Sequence, residues 1–296
     1  MDSGNIGFVL LCAAFVFVMT PGLAMFYGGL VRKKNVVNTM MTSIFIIGIG
    51  IVMWVLFGYS LSFAPSGNAF IGDFRWLGLE GVSLTEGYTD DASIPNMVFS
   101  AFQMMFAVIT PALITGAVAG RMKFKSIFVF TIFWSLIVYY PLAHMVWGQG
   151  GLLGADGIGA LDFAGGDVVH ISSGVSALVL CILLGKRHDY EHSIYRIHNI
   201  PTVVLGASLL MFGWFGFNAG SALAADGLAA HAFMTTGVSA AAAMLSWMLC
   251  DVIKNKKPTL IGASRLCSDV GGSYYRFDNK PRLLYYDFIR QEKIRL

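Results

Sequence analysis

The chain has 296 residues, of which 56% are hydrophobic and only 12% charged; ordinary soluble domains carry roughly 25% charged residues, so most of this surface must meet lipid rather than water. The formal net charge of +3 does not indicate a nucleic-acid partner, because residues 265 to 296 hold seven of the 20 Lys and Arg but only four of the 17 Asp and Glu, and the first 264 residues balance. No GxxxxGK[ST], HExxH or GxSxG pattern points to nucleotide, metalloprotease or hydrolase chemistry, so an enzyme is not expected.

Backbone that crosses lipid must satisfy its hydrogen bonds internally, and a helix needs about 20 apolar residues to cross. Runs of that length predict seven helices, over 7 to 30, 39 to 63, 94 to 119, 126 to 147, 164 to 185, 201 to 224 and 229 to 253. No basic residue precedes Arg32, which argues against a cleaved signal peptide. Arg32, Lys33 and Lys34 follow helix 1, Arg121, Lys123 and Lys125 follow helix 3, Lys186, Arg187 and Arg196 follow helix 5, and Lys254, Lys256 and Lys257 follow helix 7. Positive charge stays on the cytoplasmic side, so these loops are expected inside and the N-terminus outside. The acidic loop over 64 to 92, with Asp73, Glu80, Glu86, Asp90 and Asp91 against Arg75, is expected outside.

Pro258 to Ser264 reads as the opening of an eighth helix, with proline in its first turn. Beyond Ser264 the composition turns polar and basic, with no run of spanning length. Cys12, Cys181, Cys250 and Cys267 show no ligand spacing and receive no redox role. His188 and His192, four apart in a charged loop, lack a third ligand for a metal.

Polar groups at membrane depth are costly and usually face an interior cavity, so they are the first candidates for function. Asp162, Asp167 and His170 open helix 5, Gln103 lies in helix 3, His144 near the end of helix 4, and Asn218 and Ser221 near the end of helix 6. Helical spacing would set His170 two turns from Asp162, about 12 Å along the axis. A histidine at that depth is expected neutral, or bonded across helices. Phe102 and Phe106 on helix 3, Trp147 on helix 4, and Trp214, Phe215 and Phe217 on helix 6 form an aromatic set. Taken alone, Trp147 reads as part of an interfacial belt; converged in space, such rings would attract a small cation.

Four ordered strings are then recognisable: MTPGLAMFYGGLVRKKN over 19–35, DFAGGDVVHI over 162–171, GWFGFNAGS over 213–221 and KPTLIGAS over 257–264. They resemble the ammonium transporter family, and the resemblance covers residues 1 to 264. It implies an all-α polytopic membrane protein: a trimeric, eleven-helix channel fold with two inverted halves around a narrow hydrophobic pore. Carried over by motif, Phe106, Trp147 and Ser221 match an outer ammonium site, with Asp162 beside it. Phe106 and Phe217 match stacked gating rings, and His170 the first of two pore histidines. Gln103 and Trp214 occupy positions near the pathway. No cofactor is implied.

Residues 1 to 264 are thus expected to form a partial transporter domain, helices 1 to 7 and the start of helix 8. Helices 8 to 11 and the second pore histidine are absent from the resemblance. A divergent, cytoplasmic tail follows over 265 to 296. The expected activity is transport of ammonium or methylammonium across the plasma membrane, as a homotrimer or in association with a full-length homologue. A non-conducting membrane sensor or assembly-modifying subunit is the alternative. A retinal protein is not expected, since its Schiff base needs a lysine deep in a helix and Lys254 lies just past helix 7.

Overall fold

The computed structural model describes residues 1–65, 67–155, 157–187 and 197–268. His188, His192, Arg196 and the tail from 269 onward lie outside the described residues. Among the described residues, seven helices are long and apolar enough to cross a membrane: α1 Ser3–Leu30, α2 Lys33–Phe63, α3 Asn96–Val118, α4 Phe124–Trp147, α5 Gly166–Leu184, α6 Ile200–Gly220 and α7 Gly227–Asn255. A short α8 follows over Leu260–Ser268. Among the described residues all regular elements are helices, apart from an isolated bridge between Asn68 and Ile71.

Local chemistry sets the helix ends. Asp2, Asn199 and Asp226 accept from the amides of Asn5, Thr202 and Ala229, capping α1, α6 and α7. The sequence predicts helix 6 as far as residue 224, but α6 stops at Gly220. Leu223 adopts a left-handed φ of 58°, and the segment turns so that Asp226 can start α7. Asp251, buried in α7, accepts from Thr259 through Oγ1 at 2.5 Å and through its amide at 3.2 Å, which seats α8 against α7.

α1 and α6 run antiparallel along their length, with Gly22 against Leu209 and Gly216 against Phe15. Their contact is made by glycines. A Cβ on Gly22 would lie 2.8 Å from Leu209 Cβ, one on Gly216 would lie 2.7 Å from Phe15 Cβ, and one on Gly206 would collide with the Phe26 backbone. Lipid gives apolar helices no reason to associate, so close backbone approach through small residues supplies the attraction by van der Waals packing. α3 is the most enclosed helix, 67% buried along its apolar window, and packs on α1, α2 and α5.

The outward faces are apolar, with Leu11 on α1, Ile137 on α4 and Leu249 on α7 all exposed, whereas Ser43, Thr110 and Thr115 are buried. This inverts the pattern of a soluble domain, as a lipid solvent requires. Because consecutive helices alternate in direction, the basic segments Arg32–Lys34, Arg121–Lys125, Lys186–Arg187 and Lys254–Lys257 gather at one end of the bundle. The loop over 64 to 95 covers the other end. It is held there by Trp76 stacked on Tyr59 at 5.3 Å and Tyr88 stacked on Phe99 at 4.7 Å.

Candidate functional site

The site lies at the end opposite the basic loops, where α5 begins. Gly165 has a φ of 99°, a left-handed conformation that side chains rarely tolerate. That turn folds the chain back so that the Asp162 carboxylate reaches the amides that the first helical turn leaves unpaired. Its Oδ1 accepts from Gly165 N and Gly166 N at 2.5 and 2.8 Å, and its Oδ2 from Asp167 N and Val168 N at 2.8 and 3.0 Å. The positive end of the helix dipole adds to this attraction. Both carboxylate oxygens are therefore engaged with backbone.

The two-turn spacing expected between Asp162 and His170 does not hold. Helical backbone starts only at Gly166 and opens with a π-helical turn over Gly166–Ile171, so the two residues are not stacked along one axis. The capping loop intervenes instead. The Asp162 carbonyl also accepts from Trp147 Nε1 at 2.9 Å, which holds the indole inward rather than in an interfacial belt.

Around these groups lies a cavity of about 540 Å³, with Gln103, Phe106, Trp147, Asp162 and Ser221 among its lining residues. Ser221 Oγ donates to Phe217 O at 2.8 Å, so its lone pairs remain available to a ligand. Gln103 Oε1 is buried without a protein partner. Phe106 stands edge-on to Trp147, with ring centroids 6.1 Å apart, and meets Phe217 at 4.4 Å. Phe217 in turn lies 5.9 Å from the His170 ring, which stacks on Trp214 at 5.6 Å and 12°. His170 Nδ1 is buried and meets no partner in the protein. Trp147, Phe106, Phe217, His170 and Trp214 thus form a continuous run of rings leading inward from the cavity.

All eight residues singled out in the sequence for binding or pore roles fall in the cavity or along this run. Other polar candidates do not. Both ring nitrogens of His144 lie within hydrogen-bond distance of backbone carbonyls, Nδ1 at 3.1 Å from Ser62 O and Nε2 at 2.8 Å from Asn68 O, so this histidine pins the outer loop. Asn218 donates to Thr236 Oγ1 at 2.8 Å and ties α6 to α7. Sequence reasoning missed the outer wall, built by Tyr88, Asp91 and Ile94 on one side and Leu223 on the other. No periodicity marks that wall; the only signal was a loop too long and too aromatic to be a bare connection.

Seven apolar helices, with a cavity at one end that opens onto a run of packed aromatic rings, define a polytopic, channel-like integral membrane protein. The chain belongs to the Ammonium Transporter Family, whose profile matches residues 7–266. It is 52% identical over 263 residues to the ammonium transporter of Bacillus subtilis (strain 168), an alignment covering 89% of this chain and 63% of that protein. Among solved structures it is similar to Mep2 of Saccharomyces cerevisiae, at 35% identity and a TM-score of 0.80 over 90% of this chain and 59% of that one. Candida albicans Mep2 is similar at 33% identity and a TM-score of 0.80, over 89% and 58%. The chain therefore spans less than two-thirds of the length of each of these relatives.

Proposed function

We propose that this chain moves ammonium or methylammonium nitrogen across the plasma membrane, with its N-terminus outside, as a homotrimer or together with a full-length homologue. The observation that carries this reading is the convergence of Phe106, Trp147, Ser221 and Gln103 on one cavity directly above the Phe106–Phe217 ring pair. A small cation leaving water there meets aromatic faces, each giving about 0.5 to 2 kcal/mol of cation–π attraction depending on desolvation. It also meets two oxygen acceptors, the Ser221 hydroxyl and the Gln103 carboxamide. Asp162 serves this site indirectly, because its carboxylate is occupied by the α5 amides and its carbonyl aims Trp147.

Below the cavity the path is apolar, and carrying an unpaired charge through it would cost far more than the cavity supplies. Ammonium therefore gives its proton to water at the outer face and continues as neutral ammonia. Separation of the Phe106 and Phe217 rings admits it. The half-buried His170 imidazole then offers a hydrogen-bonding stop, its buried Nδ1 meeting no partner among the described residues.

The test is uptake of labelled methylammonium into proteoliposomes holding the chain alone or mixed with a full-length homologue. Saturable uptake that ammonium competes away, with a raised KM in Trp147→Leu, is expected. Absence of both uptake and methylammonium binding in either preparation overturns the reading.

A further inference from the structure

We propose that Asn5 is a positioning residue for the outer cavity, a role that rests on the reading above. Its carboxamide joins two loops that are remote in sequence yet both line the cavity. Asn5 Nδ2 donates to Ser93 Oγ at 2.9 Å, in the loop ahead of α3, and Asn5 Oδ1 accepts from Ala225 N at 2.9 Å, in the loop after α6. Ser93 and Ile94 line the cavity from the first loop, and Ser221 and Leu223 from the second. Asn5 stands behind both and is not itself part of the wall.

The carboxamide cannot be reversed, because a backbone N–H can meet only its oxygen, which leaves the NH₂ for the Ser93 hydroxyl. Asn5 is in turn fixed in the first turn of α1. Asp2 Oδ1 accepts from Asn5 N at 2.8 Å, and Asp2 N donates to Ser93 O at 2.8 Å. The loop after α6 needs such a tie. Leu223 holds a φ of 58°, and such a conformation persists only where surrounding bonds over-determine it. The Leu223 N to Gly220 O bond at 2.9 Å and the bond from Ala225 N to Asn5 hold the turn on either side of this residue, and Leu223 also packs on the core. Ser221 lines the cavity two residues before Leu223, so slack in this loop moves Ser221 relative to Phe106. The first helical turn of the chain thereby sets the width of a cavity it does not touch.

The experiment compares Asn5→Leu, of similar volume, Asn5→Asp, which keeps only the acceptor, and Ser93→Ala. Two readouts are taken: the concentration dependence of methylammonium uptake, and backbone hydrogen exchange over 88 to 96 and 221 to 226. Asn5→Leu should raise KM about fivefold with Vmax retained, the effect of losing the Ala225 bond that holds the loop of Ser221. Asn5→Asp should give a smaller rise, and adding Ser93→Ala to Asn5→Leu should change nothing further. Exchange should quicken in both loops for Asn5→Leu but only in the first for Ser93→Ala. Unchanged KM in folded protein, or a fall in Vmax at constant KM, overturns the proposal. If the unsubstituted chain neither binds nor moves methylammonium, the functional reading fails instead. Exchange then decides the tie alone: quickening in both loops upholds it, and quickening in neither overturns it.

Discussion

Replacing Asp162 with alanine removes the acceptor of four backbone amides at once. Gly166 is exposed and water can serve its amide, and Asp167 is partly exposed, whereas Gly165 and Val168 are buried. Each buried donor left unpaired costs about 1 to 3 kcal/mol, so Asp162→Ala should lose about 3 kcal/mol. Measured losses of single helix caps, about 0.5 to 2 kcal/mol, fall below this because they usually strand one amide. With an unfolding entropy of about 2.1 cal/mol/K for each of 296 residues, about 3 kcal/mol corresponds to a fall of about 5 °C in melting temperature. Asp162→Asn keeps one oxygen but sets an NH₂ against the remaining amides, so its fall should be intermediate. The assay is thermal unfolding of the detergent-solubilised protein, followed by intrinsic tryptophan fluorescence, with methylammonium binding measured on the same samples. A melting temperature unchanged within about 1 °C alongside lost binding would refute the argument, because it would make the carboxylate a ligand rather than a cap.

Three further outcomes follow from the same geometry. Ser221→Ala removes an oxygen acceptor but no ring, so KM for methylammonium should rise roughly two- to tenfold with Vmax held, read from uptake kinetics. Phe217→Ala removes a ring packed 4.4 Å from Phe106, and the widened floor should admit water and let potassium leak from loaded proteoliposomes; tight liposomes would show that other side chains close the path. Gly206→Val forces α1 and α6 apart where the Phe26 backbone fills the space of a side chain, and should cost about 1 to 3 kcal/mol in thermal unfolding.

The seven spans were legible because lipid imposes one requirement on every crossing, a long apolar run with its backbone bonded internally. Their ends were less legible, since they depend on single turns. Helix 6 stops four residues early because Leu223 turns left-handed, and α5 starts late because Gly165 folds Asp162 over its N-terminus. Neither event changes hydropathy, so a reading based on apolar runs passes over both.

The site divides in the same way. His170, Gln103 and Ser221 could be singled out from sequence because polar groups are costly inside an apolar helix, whereas Phe106, Phe217, Trp147 and Trp214 were picked out by the motif resemblance. Asp162 was singled out by its place beside the cavity, but not the bonds its carboxylate makes to the α5 amides, since sequence alone cannot tell a carboxylate aimed at a ligand from one aimed at its own backbone. Asn5 carried no signal at all. An asparagine in the first turn of a helix is ordinary, and its importance arises only from where Ser93 and Ala225 happen to be folded. Polar residues that would contact a cation are thus marked by the cost of placing them in lipid. Residues that hold the contacts in position act through backbone groups that every sequence has, and only the folded chain reveals them.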